Sequence, residues 1–164
     1  MSTAGTALRV DLQEAMELIW LEAELLDSHD YRAWLALWVE AGRYVIPIDR
    51  ETSDYASVLN IAYDDHAMRE ARIKRLASGF AMSSAPSART VRTVSRFRPV
   101  EAGEGGLTVR AAQHLVEYKY ERTRILAADV TYGLVRRPEG LKLDLKVVRL
   151  INSDDALHGI GYLL

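Results

Sequence analysis

The sequence contains no cysteine among its 164 residues. This absence excludes disulfide bonds, thiolate zinc sites, a cysteine nucleophile and iron–sulfur clusters, including clusters held by a mixed set of cysteines and histidines. Any cluster-based electron transfer would therefore need another chain.

Long apolar runs and an excess of one charge are also missing. No apolar run approaches the roughly 18 to 20 residues that span a bilayer, and residues 1–10 lack the basic-then-apolar layout of a signal peptide. The 21 basic and 23 acidic residues give a formal net charge of −2. Such a chain has no electrostatic reason to bind nucleic acid or an anionic membrane, so we expect neither as a partner, and we expect a cytoplasmic location.

The length fits one domain, because roughly 100 to 200 residues per domain is usual and such a chain can bury a sizeable core. We predict a flexible N-terminal tail over residues 1–10 and a single domain over residues 11–164.

Three helices are predicted in the first half of the chain. Asp11 and Glu14 form a capping box ahead of apolar residues at intervals of three and four. Asp30 is expected to cap a second helix whose apolar stripe includes Trp34 and Trp38, and Gly42 to mark the turn into the first strand. Asp64 or Asp65 can cap a third helix, which is expected to stop at Ser78-Gly79.

Strand patterns dominate the second half. Four long strands are predicted over residues 90–98, 107–120, 125–136 and 141–151, separated by Gly-rich or Pro-Gly turns. In the last of them, four alternating residues should share one face, namely Leu141, Leu143, Leu145 and Val147. The doublet Val147-Val148 indicates a bulge or burial on both faces. Helices followed by a meander predict an α+β fold, a cone-shaped curved antiparallel sheet wrapped around the N-terminal helices.

One pair of residues could carry acid–base chemistry. If a hairpin closes through Arg122-Thr123, position 114 pairs with 131 or 132, which brings His114 within reach of Asp129. A histidine and a carboxylate inside a cone, with Tyr44 or Tyr132 nearby, could support dehydration or isomerisation. The simpler interpretation, which we favour, is a histidine hydrogen-bonded at a subunit surface. We expect no histidine to have a carboxylate at the three- or four-residue spacing of a helical metal site.

Two groups of basic residues have no obvious place in a core. Arg92, Arg96 and Arg98 should share one face of a strand, and that face must lie in water, meet another subunit or find acidic partners. The run from Arg69 to Arg75 is interpreted as a solvated helix face, with an acidic partner as the alternative. Residues 49–57 are interpreted as an exposed loop, although Arg50 and Glu51 could contact a partner.

Many ordered blocks of this sequence resemble the small (β) subunits of aromatic-ring-hydroxylating dioxygenases. The blocks are Leu25-Leu26-Asp27, Trp34-Leu35-Ala36-Leu37, Gly42-Arg43-Tyr44, Pro47, Tyr63-Asp64-Asp65, Arg72 to Leu76, Ser78-Gly79, Pro86, Arg89-Thr90, Val94-Ser95, Lys146 to Asn152, Asp154, Ala156-Leu157 and Leu163-Leu164. The resemblance spans about residues 12 to 164.

The resemblance implies an NTF2-like, or scytalone-dehydratase-like, cone that acts as a structural subunit. It implies a trimer of this chain beneath a trimer of large α subunits, an α3β3 hexamer. The α chain would hold the Rieske 2Fe-2S cluster and the mononuclear Fe(II), and this chain would hold no cofactor. The absence of cysteine agrees with that division.

The resemblance and the arginine-bearing strand together give the candidates for subunit contacts. These residues are Arg89, Arg92, Arg96, Arg98, Tyr63, Asp64 and Asp65. Two other functions stay open: a stand-alone dehydratase, isomerase or cyclase that uses His114, Asp129 and Tyr44, and a module that binds a small apolar ligand without reacting.

Overall fold

The computed structural model describes residues 9–82, 87–155 and 162–164, with the side chains of residues 80–82 left aside. Several sequence features lie outside the described residues, namely positions 1–8 of the predicted tail, Pro86, Ala156, Leu157 and His158. At the end of that predicted tail, Val10 is buried against the core.

The elements follow the predicted order of helices first and a large sheet afterwards. The helices are α1 (Leu12–Asp27), α2 (Tyr31–Ala36) and α3 (His66–Met82), with a short 3-10 turn at Tyr55–Ser57. The strands are β1 (Trp38–Pro47), β2 (Asn60–Asp64), β3 (Arg89–Gly103), β4 (Gly106–Lys119), β5 (Arg122–Arg137) and β6 (Gly140–Leu150).

All six strands join one sheet in the order β2-β1-β6-β5-β4-β3. Every pair is antiparallel except β1 with β6, which is parallel. The helices α1 and α2 lie against one face of the sheet, here called the inner face, and the core fills the space between them. The predicted α+β class is therefore confirmed.

The first helix is capped as predicted. The Asp11 carboxylate accepts a hydrogen bond from the Glu14 amide at 2.9 Å, and the Glu14 carboxylate accepts one from the Asp11 amide at 3.3 Å. These bonds satisfy amides that have no partner within the helix. The buried side chains Ile19 and Leu26 then face the core.

The second helix is shorter than predicted, because Trp38 begins β1 instead of ending α2. Gly42 likewise lies inside β1 rather than in a turn, and a Cβ atom there would approach the Trp38 ring to 2.8 Å. Between Trp38 and Arg43 the register with β6 shifts, and the buried Arg69 guanidinium donates to the Gly42 carbonyl at 2.5 Å and the Val39 carbonyl at 3.1 Å. Arg69 thus donates hydrogen bonds to buried carbonyl groups that the irregular pairing of β1 with β6 leaves without a strand partner.

The basic run of α3 was predicted to form one solvated face, and this prediction is wrong. Arg69 is buried over the Trp38 ring, 4.5 Å from its centroid, while Arg72 pairs with the buried Asp64 at 2.6 Å. The helix is capped by Asp65, whose carboxylate accepts from the Met68 amide at 2.9 Å, and it continues past Ser78-Gly79 to Met82.

The outer face of the sheet is partly covered by residues 48–58. Val45 of β1 and Val147 of β6 are paired and fully buried. They face away from the core, because adjacent residues of a strand point to opposite faces and their neighbours Tyr44 and Val148 belong to the core. Val147 and Val148 are thus buried on opposite faces, which confirms the second of the two explanations predicted for this doublet, burial on both faces. Leu143 and Val147 do not share a face as predicted, because the register shifts between β5 and β6 at Gly133.

Candidate subunit surface and the interior of the cone

A fully buried ion pair lies at the centre of the inner face. The Lys146 ammonium of β6 donates to the Glu22 carboxylate of α1 at 2.6 Å, and both side chains are 0% exposed. The Trp34 indole donates to the same carboxylate oxygen at 3.0 Å. Burial lowers the pKa of Lys146, and the negative charge of Glu22 opposes that shift.

The segment Leu163-Leu164 fills the inner end of the cone. Lys146 donates to the main-chain oxygen of Leu164 at 2.7 Å, and the Tyr44 hydroxyl accepts from the Leu164 amide at 2.9 Å. Both leucines are buried in the core, and burial raises the pKa of Tyr44. Lys146 and Tyr44 therefore both hold the chain's own backbone at Leu164.

A second buried cation completes this arrangement. The Arg92 guanidinium pairs with the Asp27 carboxylate and donates to the Leu163 carbonyl, while the Arg92 amide donates to Asp27 at 2.9 Å. The Thr90 hydroxyl donates to the same carboxylate at 2.9 Å. Arg92 is thus a core residue that joins α1, β3 and the Leu163-Leu164 segment.

The prediction that Arg92, Arg96 and Arg98 share one face is wrong. The register between β3 and β4 shifts after Ser95, where Arg96 has a positive φ of 58°. This bulge turns the arginines apart: Arg92 points inward, whereas Arg96 and Arg98 are exposed. A bulge cannot be read from alternation alone, so the strand was predicted as regular.

The three residues of the predicted acid–base site are not brought together inside the cone. The β4–β5 hairpin turns at Tyr120-Glu121, so His114 pairs with Ala127 rather than with position 131 or 132. His114 and Asp129 lie on the outer face, and Tyr44 is buried on the inner face. The hairpin was predicted to turn at Arg122-Thr123, which lies after the observed turn, so the predicted partner of His114 was wrong by four to five residues. The observed turn residues Tyr120 and Glu121 both adopt a positive φ.

Asp129 instead anchors the loop that covers the outer face. Its carboxylate pairs with Arg50 at 3.2 Å and with Arg96. Nearby, the Arg149 guanidinium donates to the Tyr55 hydroxyl and lies 5.7 Å from the centroid of that ring. Residues 49–57 are exposed or half-exposed, as predicted, but Arg50 and Tyr55 hold this loop to the sheet.

The residues predicted to contact another subunit differ in how exposed they are. Asp64 is fully buried and paired with Arg72, and Asp65 is half-buried as the cap of α3. The remaining exposed candidates are Arg89, Arg96, Arg98 and Tyr63. Arg89 lies 5.8 Å from the Tyr118 ring centroid at the edge of an apolar surface.

That apolar surface was not predicted from the sequence. Val91, Val116 and Ile125 stand directly opposite one another across β3, β4 and β5, and Val91 and Ile125 are 65% and 64% exposed. Together with the exposed Tyr118 and Tyr120 they form what we call the strand patch. Their alternation with buried residues was visible in the sequence, but which face meets the core was not.

A second exposed apolar surface lies at the opposite edge of the sheet. It lines a groove of about 350 Å³ beside the edge strand β2. Leu59 is 78% exposed. The exposed apolar residues here, which we call the edge patch, are Val58, Leu59, Ile61, Tyr63 and Met68.

The residues described offer no group of three or more histidine, aspartate or glutamate side chains that could hold a metal ion. His66 and Glu70 do form a pair at 3.2 Å with helical spacing, which corrects the expectation that no histidine has such a partner. Two exposed side chains do not make a metal site. Across the same described residues, no helix has both the length and the apolarity needed to cross a membrane.

Comparison with known proteins places this architecture in a family. A family model for the ring hydroxylating β subunit matches residues 21–154. The chain belongs to this family. The small oxygenase component of the p-cumate 2,3-dioxygenase system of Pseudomonas putida is 34% identical over 142 residues, which cover 85% of this chain and 78% of that protein.

Solved structures share the fold of this β subunit. The β subunit of benzoate 1,2-dioxygenase from Burkholderia mallei superposes with a TM-score of 0.80 at 21% identity, covering 99% of this chain and 100% of that one. An NTF2-like protein with a cystatin-like fold from Novosphingobium aromaticivorans has a TM-score of 0.61 at 19% identity, covering 87% and 82%. The predicted NTF2-like fold and the predicted family are both confirmed.

Proposed function

We propose that this β subunit is a non-catalytic building block of an α3β3 complex that hydroxylates an aromatic ring. Three copies would support three large α subunits and fix the geometry in which the Rieske centre of one α subunit faces the mononuclear iron of its neighbour. The complex would lie in the cytoplasm, as expected from the sequence. The observation that carries the proposal is the use of the cone's polar groups, since Glu22, Lys146, Tyr44 and Arg92 all bind the chain's own groups.

This arrangement argues for assembly rather than chemistry. An acid–base site needs a titratable group within hydrogen-bonding reach of a substrate. In the cone, the ammonium of Lys146 and the hydroxyl of Tyr44 both contact Leu164, so a substrate would have to displace that segment. His114 lies on the opposite face of the sheet from both of them.

The iron centres of the holoenzyme do not fit this chain. A Rieske cluster requires two cysteines and two histidines, and the sequence has no cysteine. The α subunit must therefore supply the ligands of the Rieske cluster. A mononuclear iron needs histidine and carboxylate ligands, and the described residues of this chain bring no three such side chains together. If the complex is obligate, the β subunit should bury on the order of 2,000 Å² or more against its partners.

Co-expression with the cognate α subunit tests this proposal. A tag on the α subunit should retain the untagged β subunit through gel filtration, and the purified complex should hydroxylate its aromatic substrate. In the assembled complex, the variant His114→Ala should leave turnover unchanged, because His114 lies outside the cone and would contribute no group to the reaction.

The rival enzyme predicts the opposite result. If the β subunit purified alone converted a substrate, and His114→Ala or Asp129→Asn abolished that conversion, the chain would be a stand-alone catalyst. If a small apolar ligand bound the isolated chain, and His114→Ala left that binding intact, the non-reacting module would be favoured. Failure of the chain to associate with any large subunit would contradict the proposed function.

A further inference from the structure

A cavity of about 150 Å³ lies on the inner face of the sheet, beside the segment Leu163-Leu164. Its floor is the pair of strands β1 and β2, where Ile46 stands opposite Ala62. Leu163 and Leu164 form the facing wall, and all four of these side chains are buried. The cavity is therefore apolar over most of its surface, and a molecule inside it would lie beside the leucines without displacing them.

The size of the cavity sets the size of a ligand. An apolar cavity of ~150 Å³ in a protein core holds one benzene molecule. A ring of that size would gain dispersion contacts with aliphatic side chains on both of its faces. Two fused rings would have to push apart close-packed walls, which protein interiors resist. The volume therefore indicates a compound with a single ring.

One polar side chain of the cavity has hydrogen-bonding capacity to spare. Arg72 lines the cavity, and its side chain is 31% exposed, which places it at the mouth. Its Nε and Nη2 atoms donate to the Asp64 carboxylate at 2.6 and 2.9 Å, whereas Nη1 has no acceptor among the described residues. The hydroxyls of Tyr44 and Tyr162, also on the wall, are each bonded to a group of this chain. A ligand oxygen would therefore find its donor in Arg72.

The charge at the mouth favours a neutral ligand over an anion. The fully buried Asp64 carboxylate already balances the Arg72 guanidinium, and its hydrogen bonds raise the pKa of Arg72, so both groups stay ionised. A carboxylate ligand would give up its hydration to meet a pair with no net charge. A hydroxyl or carbonyl oxygen loses far less on leaving water, and one hydrogen bond from Nη1 satisfies it.

We propose that this cavity binds a neutral compound of one aromatic ring that carries a hydroxyl or carbonyl oxygen, with phenol as the simplest member. The ring lies between the floor residues Ile46 and Ala62 and the two leucines, and the oxygen accepts from Nη1 of Arg72. Burial raises the pKa of the Tyr44 hydroxyl, so this group stays protonated and the ligand is bound without reacting.

Methyl NMR of the full chain locates the ligand directly. Adding phenol should shift the methyl signals of Ile46, Ala62, Leu163 and Leu164, with a dissociation constant of about 1 mM or tighter. The methyl signals of Leu59, which lies in the groove beside β2, should stay unchanged. No shift at about ten times that concentration, or shifts confined to Leu59, would overturn the proposal.

Filling the cavity gives a second test. Ala62→Leu places a larger side chain on the floor of the cavity and should abolish the shifts that phenol causes at Ile46. Ala56→Leu is the matched control, because Ala56 is exposed in the groove beside β2, and this variant should bind phenol as the wild type does. Circular dichroism and thermal melting check that both variants fold. Unchanged phenol affinity in a folded Ala62→Leu chain would overturn the site, and if that variant does not fold, the wild-type NMR titration decides.

Two further probes test the chemical class. Benzene lacks the oxygen and should bind about three- to tenfold more weakly than phenol, as expected for the loss of one hydrogen bond. Benzoate should also bind more weakly than phenol, because the guanidinium is already paired. Benzene that binds as tightly as phenol would exclude Arg72 from the site, and benzoate that binds more tightly would overturn the assignment of a neutral ligand.

The α subunit separates this inference from the proposed function. Ligand binding alone would fit the non-reacting module as well, so retention by a tagged α subunit decides between the two roles. If phenol does not bind but the chain is retained, this inference is wrong and the proposed function stands. If phenol binds but no α subunit retains the chain, the inference stands and the proposed function fails. Binding together with retention supports both, because the cavity lies inside the cone and leaves the outer surfaces open to a partner.

Discussion

Each face of the sheet contains a group of residues that departs from the usual separation of a buried apolar core and an exposed polar surface. The inner face holds a buried lysine, a buried arginine and two carboxylates that pair with them. The outer face exposes a row of β-branched residues, Val91, Val116 and Ile125, directly opposite one another. Water normally favours the opposite arrangement, because burying charge is costly and apolar area gains from leaving water.

The difference indicates that the two faces serve different contacts. Inside, every charge has a partner in the same chain, and those partners join α1, β3, β6 and the Leu163-Leu164 segment. Outside, the apolar row is exposed in the single chain, and under the proposed function it is a candidate contact for another chain. Substitutions inside should therefore change the stability of the monomer, and substitutions outside should change assembly.

The largest effect is expected when the Lys146–Glu22 pair is broken. Lys146→Met leaves the Glu22 carboxylate buried without its cation, and breaking such a pair costs about 3 to 5 kcal/mol. The double variant Glu22→Gln with Lys146→Met should recover much of that loss, because no charge is left buried and the Gln oxygen can still accept from Trp34. Urea unfolding of both variants measures the difference. Equal destabilisation of the single and double variants would show that the pair is not coupled.

A smaller effect is expected at Arg92. Arg92→Met removes the partner of Asp27 and the donor to the Leu163 carbonyl. Because Asp27 is partly open to water, the loss should be about 2 to 3 kcal/mol, within the range for hydrogen bonds to charged groups. Arg98→Met is the matched control, since Arg98 is exposed on the same strand. A similar loss in both variants would contradict the assignment of Arg92 to the core.

Features that depend on neighbouring residues in the sequence could be predicted, whereas contacts between distant residues could not. The helix caps and four long strands are local features, and the capping box at Asp11 and the strand alternation predicted them well. Glu22 was missed, although it lies three residues after Ile19 and four before Leu26 on the apolar stripe of α1, where a carboxylate signals a buried partner. Its partner, Lys146, is 124 residues away, and no local pattern pairs them.

The outer face was harder to predict for a related reason. The bulge at Arg96 and the turn at Tyr120-Glu121 depend on positive φ at residues other than glycine, which sequence patterns rarely reveal. Each such change moves every later residue of the strand relative to its neighbours. The acid–base hypothesis for His114 was wrong because strand alternation does not tell which face meets the core, and the strand patch was missed for the same reason.

Acid pH should weaken the contact of Glu117 with Arg124 and Tyr162. Burial by itself would raise the pKa of Glu117, but hydrogen bonds from Arg124 and Tyr162 outweigh it and hold the pKa below its usual range. Because the folded carboxyl has the lower pKa, its stabilisation is present above about pH 4.3 and is lost as the pH falls through the folded value.

Glu117→Gln tests this dependence. The variant should be about 1 to 2 kcal/mol less stable than the wild type at pH 7, with a difference that shrinks below about pH 4. Urea unfolding across that range is the measurement, and Glu121→Gln, exposed at the hairpin turn, is the control. A difference that stays constant with pH would exclude the carboxylate as its source.

The smallest effects are expected on the outer face. Asp129→Asn weakens the ion pairs with Arg50 and Arg96, which are open to water, so it should cost at most about 1 kcal/mol. His114→Ala should change stability by no more than about 0.5 kcal/mol. Thermal melting of the isolated chain measures both. A large loss from either would show that the outer face contributes to the monomer fold as the inner face does.

The most direct test of the account is the native mass of the particle formed when this β subunit and its α subunit are co-expressed. Native mass spectrometry should give one species containing three copies of each chain, held together through the outer surfaces of intact β subunits. An α subunit that assembles and hydroxylates its substrate with no β subunit in the particle would contradict the account.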